Sequence, residues 1–381
     1  MSVVEKSDQS VETRLDPVLE VARAHAAGVD GEARFPSEAI DALRQAGLFG
    51  LTVPAAEGGL GAGPVEFVEV TSRLAEACGS TAMVYLMHVA AVMPVLGAPP
   101  PGLPGLARKM STGKLGTLAF SERGSRSHFW APVSKSVASN GDIRMKADKS
   151  FVTSAGHADV YVASVLTPEA AGPVDSDLFA IPAETPGLKV GASWRGLGLR
   201  GNASSPVEID VTVPVGARLG PAGGGFKLMM EVVLPWFNLG NAAVSLGLCR
   251  AALKATVAHA GGARFEHLGE SLASLPTIRA QLSRMQIAVD SLDAYLDAAA
   301  ASVAAPDGET VLKVLSIKAA ANDTALQVTD AAMRVCGGAA FSGRLGVDRV
   351  FRDARAGHVM APTADVLYDF IGKAITGQPL F

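Results

Sequence analysis

The hydrophobic period of this chain changes twice along its length, and few folds accommodate both changes. Up to about residue 115, apolar side chains recur at three- and four-residue spacing, as on the buried face of a helix. Ser37 opens one such run as an N-cap before Glu38, Ala39, Ile40 and Leu43, and Gly47 ends it. Segment 65–77 is amphipathic, whereas 81–96 is apolar on nearly every side, the pattern of a helix at the centre of a helical assembly. The Pro-rich stretch 99–104 then breaks the chain. From Gly116 the period drops to two. Runs at 133–137, 160–165 and 207–213 alternate β-branched residues and are punctuated by Gly, Asn, Asp and Pro, so they read as an antiparallel all-β insert, a small barrel or sandwich. Past the Gly-rich 220–225 the helical period returns over 226–260, 275–304, 309–335 and 364–375, which suggests an up-and-down bundle. The expectation is a mainly α fold with a β insert: an N-terminal helical domain over 1–115, a central β-barrel over 116–222 and a C-terminal four-helix bundle over 223–381. No internal repeat offers a solenoid instead.

Composition removes several classes of function. A mean hydropathy of +0.28 invites a membrane reading. The excess, however, lies in Ala, Val and Leu scattered at helical spacing, and no uninterrupted apolar span is expected to approach the ~20 residues a bilayer requires. Residues 1–17 are polar and acidic, without the basic and apolar regions of a secretion signal, so a cytoplasmic location is expected. A formal net charge of −4 with mixed signs offers no basic stripe to a phosphate backbone, which argues against nucleic acid as a partner. Cys78, Cys249 and Cys336 lie far apart in apolar surroundings, suiting buried thiols and neither a metal site nor a disulfide framework.

Five short motifs follow one another in this frame. They are Val53-Pro54 with Glu57-Gly58-Gly59-Leu60-Gly61; Leu118-Ala119-Phe120-Ser121-Glu122-Arg123-Gly124-Ser125; Asn140-Gly141 with Lys149-Ser150-Phe151-Val152-Thr153-Ser154-Ala155; Gly223–Phe226; and Val335-Cys336-Gly337-Gly338 with Arg352-Asp353-Ala354-Arg355. In order and spacing they resemble the acyl-CoA dehydrogenase superfamily over nearly the whole chain. The resemblance implies one FAD, held by Phe120, Ser121, Phe151, Thr153, Arg264, Phe265, Arg334, Gly337, Gly338 and Thr363. Ser121 would meet the flavin pyrimidine edge and Thr153 flavin N5, with Phe151 replacing the family's tryptophan. The glycine pair would approach the diphosphate, where backbone amides reach phosphate only if no Cβ intervenes. Arg334 stands where a glutamine is usual, and Arg264 stands for a displaced diphosphate-binding arginine. Ser127, His88 and Asn238 are the implied substrate contacts. The family's subunit-bridging cofactor site implies a homodimer or homotetramer, and an electron-acceptor flavoprotein or a flavin reductase as partner.

Oxidation of a saturated acyl thioester needs a carboxylate to remove the α-proton. The family's usual position for it, after the Arg-Asp-Ala-Arg run, is Ala361 here, and the alternative on the first bundle helix is Phe237. Neither side chain can take a proton. Three accounts follow. A displaced carboxylate serves, with Glu231, Glu122 and Asp365 as candidates. Alternatively the chemistry is hydroxylation of nitrogen or sulfur by reduced flavin and oxygen, for which His88 and His358 are candidates. The third account is a specialised thioester reaction on acyl-CoA or a carrier protein.

Overall fold

A computed structural model describes residues 10–126 and 128–381. The chain opens with α1 (Val11–Gly31) and α2 (Ser37–Gln45), followed by α3 (Pro64–Ala77), α4 (Gly79–Gly97) and α5 (Leu106–Thr112). Ser10 caps α1 by accepting the Thr13 amide, and the Glu66 carboxylate reaches back to the Gly63 amide at the head of α3. Almost every side chain of α4 is buried, Tyr85, Leu86 and His88 completely. Contrary to the expectation above, α4 and the helical run Gly225–Gly262 do have the length and hydropathy of membrane spans. Both are mostly buried within the protein, so their apolar surface is already covered.

Two four-stranded sheets follow. One has the order β1 (Gly116–Ala119), β4 (Val160–Leu166), β5 (Ser176–Pro182) and β8 (Arg218–Leu219); the other runs β2 (Val137–Ser139), β3 (Asp142–Val152), β7 (Ser205–Pro214) and β6 (Leu188–Val190). In β3 and β7 alternate residues are buried, as period-two patterning requires, and Met145, Ile209 and Val211 meet Tyr161, Phe179 and Ile181 in a core of their own. The insert is not wholly antiparallel: β1 pairs with β4 in parallel, Gly116 opposite Val160.

The C-terminal part holds five helices, where four were expected, besides the short α6 (Gly225–Leu228). They are α7 (Leu234–Gly262), α8 (Pro276–Ala304), α9 (Thr310–Phe341), α10 (Val347–Val359) and α11 (Ala364–Ile375), with a two-stranded hairpin of β9 (Arg264–Phe265) and β10 (Glu270–Ser271) after α7. The helix that the sequence reading missed is α10. It is short, follows the left-handed Gly346, and carries the Arg352-Asp353-Ala354-Arg355 run. Helix α7 packs against α3, α8, α9 and α10, so the N-terminal helices join the bundle rather than standing apart from it.

Candidate active site

A cleft of about 1690 Å³ opens between the β insert and the helices. Five groups of elements line it, the turn between α1 and α2 contributing Arg34 and Phe35. The β insert contributes Phe120, Ser121, Phe151 and Thr153, together with Ser193, Trp194 and Ser204; α4 contributes Met83 and Met87; the start of α7 and the turn before it contribute Val233 and Phe237; α10 and the segment after it contribute Arg352, Arg355, Met360, Ala361 and Thr363. Thus Phe120, Ser121, Phe151, Thr153 and Thr363, named from the family resemblance, lie with both vacant base positions on one cavity.

Local backbone rules explain these placements. Residues 229–233 form one π-helical turn just ahead of Pro235, whose missing N–H would interrupt a regular ladder. The wide turn absorbs that loss, and Val233 and Phe237, four residues apart, reach the same face. On the sheet side, Ser150 N–H donates to the Ser121 carbonyl at 2.8 Å and Trp194 N–H to the Ser204 carbonyl at 3.3 Å. These bonds bring the Thr153 and Ser204 hydroxyls to 3.3 Å and stack the Phe151 and Trp194 rings at 4.9 Å, 21° apart. The Thr153 hydroxyl is buried, whereas Phe151 and Trp194 are 61% and 47% exposed, an aromatic surface facing the cleft. Gly198 lets this loop touch α10, because any Cβ there would collide with the Arg352 carbonyl. The adjacent Leu199 amide donates to the Asp353 carboxylate, which is buried and pushed up to about 7 by that burial.

Three carboxylates line the cleft. Glu122 is engaged: Oε1 lies 2.7 Å from Lys149 Nζ, and Oε2 accepts from Ser134 N–H and Oγ–H at 3.0 and 2.7 Å. Asp148 and Glu208 are opposite each other on exposed faces of β3 and β7, and Glu208 pairs with Lys189 at 3.4 Å. Near the two vacant positions in sequence, Val233, Val359 and Met360 line the cleft with apolar side chains, and Arg355 and Thr363 with polar ones. Basic groups outnumber acidic ones in the lining: Arg34, Arg123, Arg126, Lys189, Arg200 and Arg355 lie there besides Lys149 and Arg352. The Arg355 guanidinium sits 3.4 Å over the Phe351 ring and donates to Thr329 Oγ1 at 3.0 Å.

Other candidates fall elsewhere. His88 is completely buried, with Nδ1 accepting from the Gly116 amide and Nε2 donating to the Phe49 carbonyl, both at 3.0 Å. Burial pushes it down to about 4. It is a core histidine with no free nitrogen, which corrects its proposed place beside the flavin. Glu231 is exposed, 3.8 Å from Lys227, and does not line the cleft, so it is corrected to a solvated helix residue. His358 lies 3.5 Å from Asp323, and Asp365 is exposed on α11; neither lines the cleft. Asn238 is buried in the bundle, donating to the Val314 carbonyl at 3.0 Å, which removes it from the substrate contacts. Arg264, Phe265, Arg334, Gly337 and Gly338 lie on the hairpin and on the end of α9, away from the cleft. There Gly337 adopts φ +53°, and neither glycine has any atom within 4 Å of a would-be Cβ, leaving an open stretch of backbone. Ser127 lies outside the described residues. Sequence reasoning missed Trp194, Ser204 and Arg355; only Arg355, inside a quoted motif, carried a signal.

Comparison with known proteins bears on the whole arrangement. Three family models match in order: acyl-CoA dehydrogenase N-terminal domain over residues 9–98, middle domain over 117–212 and C-terminal domain over 223–376. Cyclohex-1-ene-1-carbonyl-CoA dehydrogenase of Geobacter metallireducens is 27% identical over 95% of this chain and 96% of its own. Among solved structures, butyryl-CoA dehydrogenase from Megasphaera elsdenii superposes with a TM-score of 0.88 at 22% identity, covering 97% of this chain and 100% of that one. The prolyl acyl carrier protein oxidase AnaB gives 0.85 at 18% identity, covering 96% and 99%. With all three consecutive models of one family matched and the same fold in its solved members, the chain belongs to the acyl-CoA dehydrogenase superfamily, whose members are FAD-dependent.

Proposed function

We propose that this chain binds FAD in the cleft and acts there on an acyl thioester, by chemistry that uses no side-chain carboxylate at either usual position. The residues present suit the cofactor. Among the described residues the buried Thr153 hydroxyl has only the Ser204 hydroxyl as partner, and Thr363, at the head of α11, does not cap its own helix, so both are open to a ligand. The cleft volume also exceeds the roughly 300–1,000 Å³ of ordinary ligand pockets, as an extended dinucleotide with a substrate requires. When bound, FAD supplies a two-electron acceptor. Ser121 and Thr153 would hold the polar edge of its ring, and Phe151 with Trp194 its face. Arg334, Gly337, Gly338, Arg264 and Phe265 would serve the dinucleotide of a neighbouring subunit in a homodimer or homotetramer.

The observation that carries this reading is the wall at 361 and 237. Both positions line the cleft with side chains that cannot take a proton, and each carboxylate in the cleft is either ion-paired or on the exposed β3–β7 face. The basic lining suits the phosphates of CoA or of a carrier protein's phosphopantetheine arm. The same wall also suits N- or S-hydroxylation with reduced flavin and oxygen, fed by a separate reductase. Anaerobic mixing of the FAD-loaded protein with acyl-CoAs and acyl carrier proteins decides. Bleaching of the flavin supports thioester oxidation, with an electron-transferring flavoprotein as acceptor. Product formed only from externally reduced flavin with oxygen gives the chemistry to hydroxylation, and failure to take up FAD removes both.

A further inference from the structure

Among the described residues two lysines are fully buried, Lys149 and Lys318. The first meets a carboxylate; the second meets none. Lys318 lies on the face of α9 that also carries Val314, Leu315 and Ala321 into the core, a position where an apolar residue would be expected. Its Nζ donates to the carbonyls of Gly357 at 3.1 Å, Met360 at 3.1 Å and Pro362 at 2.9 Å. An ammonium has three hydrogens, and all three are used.

The acceptors have a common location. Gly357 O is one of the terminal carbonyls of α10 that no helical amide can reach, and Met360 and Pro362 follow it in the segment whose residues Met360, Ala361 and Thr363 line the cleft. Asn322, one turn along α9, adds a donation from Nδ2 to Gly357 O at 2.9 Å while its Oδ1 accepts from Ser245 on α7. Gly357 permits this approach, since a Cβ there would collide with Asn322 Oδ1. We propose that Lys318 is a positioning residue, whose ammonium fastens the cleft wall at 357–363 to α9 and so sets where residue 361 stands.

A methionine of similar length would pack at that depth without the cost of a buried charge, yet it could offer the wall nothing. Among the described residues no charged group pairs with Lys318. On α10, Asp353 is bonded to the Leu199 amide, Arg355 to Thr329, and His358 lies beside Asp323; on α7 the facing groups, Asn238, Asn241 and Ser245, do not titrate; on α11, Asp365 is exposed. Burial therefore pushes the ammonium down to about 7, while the carbonyls and the negative end of α10 favour the charged form. Loss of one proton leaves two donors for three carbonyls. The folded-state value lies below the ordinary 10.5, so the cost of the buried charge is full below about 7 and is relieved between there and about 10.5. An opening of the wall that re-solvates the ammonium shares this sign, so substitution and not pH separates fastening from packing.

Peptide-resolved hydrogen exchange on the purified chain tests this independently of what fills the cleft. In Lys318→Met, amides in 357–363 should exchange about tenfold faster than in wild type at the same pH, with α7 unchanged, because this opening is local. Protection of 357–363 that does not respond to the substitution overturns the proposal, as does a loss spread evenly over α7 and α9. If Lys318→Met does not fold, Lys318→Gln, which keeps a donor without the charge, is measured in its place, and protection of 357–363 equal to wild type overturns the proposal.

Discussion

Glu122 and Lys149 form an ion pair, Oε1 to Nζ 2.7 Å, with neither side chain more than 3% exposed. Lys149 also donates to the Ser164 carbonyl at 2.6 Å, and Glu122 holds Ser134. The pair therefore closes the loop 122–134, which carries Arg123, Arg126 and Phe129 into the cleft. Glu122→Gln strands a buried ammonium, and a loss of roughly 3–5 kcal/mol is expected. Glu122→Gln/Lys149→Met should recover part of it. Urea unfolding measures both, and a single mutant within about 1 kcal/mol of wild type would remove this account of the loop.

Asp353 predicts a pH dependence of stability with an unusual sign. Its folded-state value is pushed up by burial to about 7, above the ordinary 3.8. Its contribution is thus fully present below about 3.8 and lost as pH rises through about 7. Asp353→Asn keeps an acceptor for the Leu199 amide but cannot ionise, so relative to wild type it should gain on the order of 4 kcal/mol between those limits. His88 acts oppositely. Burial lowers it to about 4, so its contribution is present above 6.5 and lost as pH falls through 4. The comparison must therefore be between variant and wild type at each pH; parallel curves would refute it.

The periodicity of the sequence carried the helix–β–helix order because each switch of period reflects which faces are buried. The cleft residues of the β insert came instead from the family resemblance: Ser121, Phe151 and Thr153 sit on or beside strands and line the cleft. It failed where a polar residue works inside the core. His88 looked like a ligand contact because sequence cannot show that Phe49 and Gly116 satisfy both its nitrogens. Asn238 failed likewise, its amide being used across the bundle by Val314. Helix α10 was missed because motif matching treated the Arg352-Asp353-Ala354-Arg355 run as a signature and not as part of a helix. Trp194 was invisible because only the fold of the loop after β6 brings it onto Phe151.

That stack is testable by fluorescence. Trp194 lies in the cleft, whereas Trp130 is buried under Phe370 and Phe381 and Trp236 packs on Phe67. If the flavin ring is held against Phe151 and Trp194, FAD uptake should quench a large part of the tryptophan emission. Trp194→Phe should remove most of that quenching while costing less than about 1 kcal/mol of stability, since the ring is half-exposed. Equal quenching in variant and wild type would place the ring elsewhere.

Ala361→Glu asks whether the vacant position is still a functional one. Ala361 borders a cavity with room for a longer side chain, beside Val359, Met360 and Phe237. A carboxyl in such apolar company is raised toward neutrality, the range a general base requires, and a positioned base contributes roughly 10²–10⁴-fold to proton abstraction. The variant should therefore bleach its flavin with acyl-CoAs in the absence of oxygen at least about a hundredfold faster than wild type. Ala361→Gln, of the same size but unable to take a proton, should not. Equal rates in the two variants would mean that bulk, and not basicity, acts at this wall.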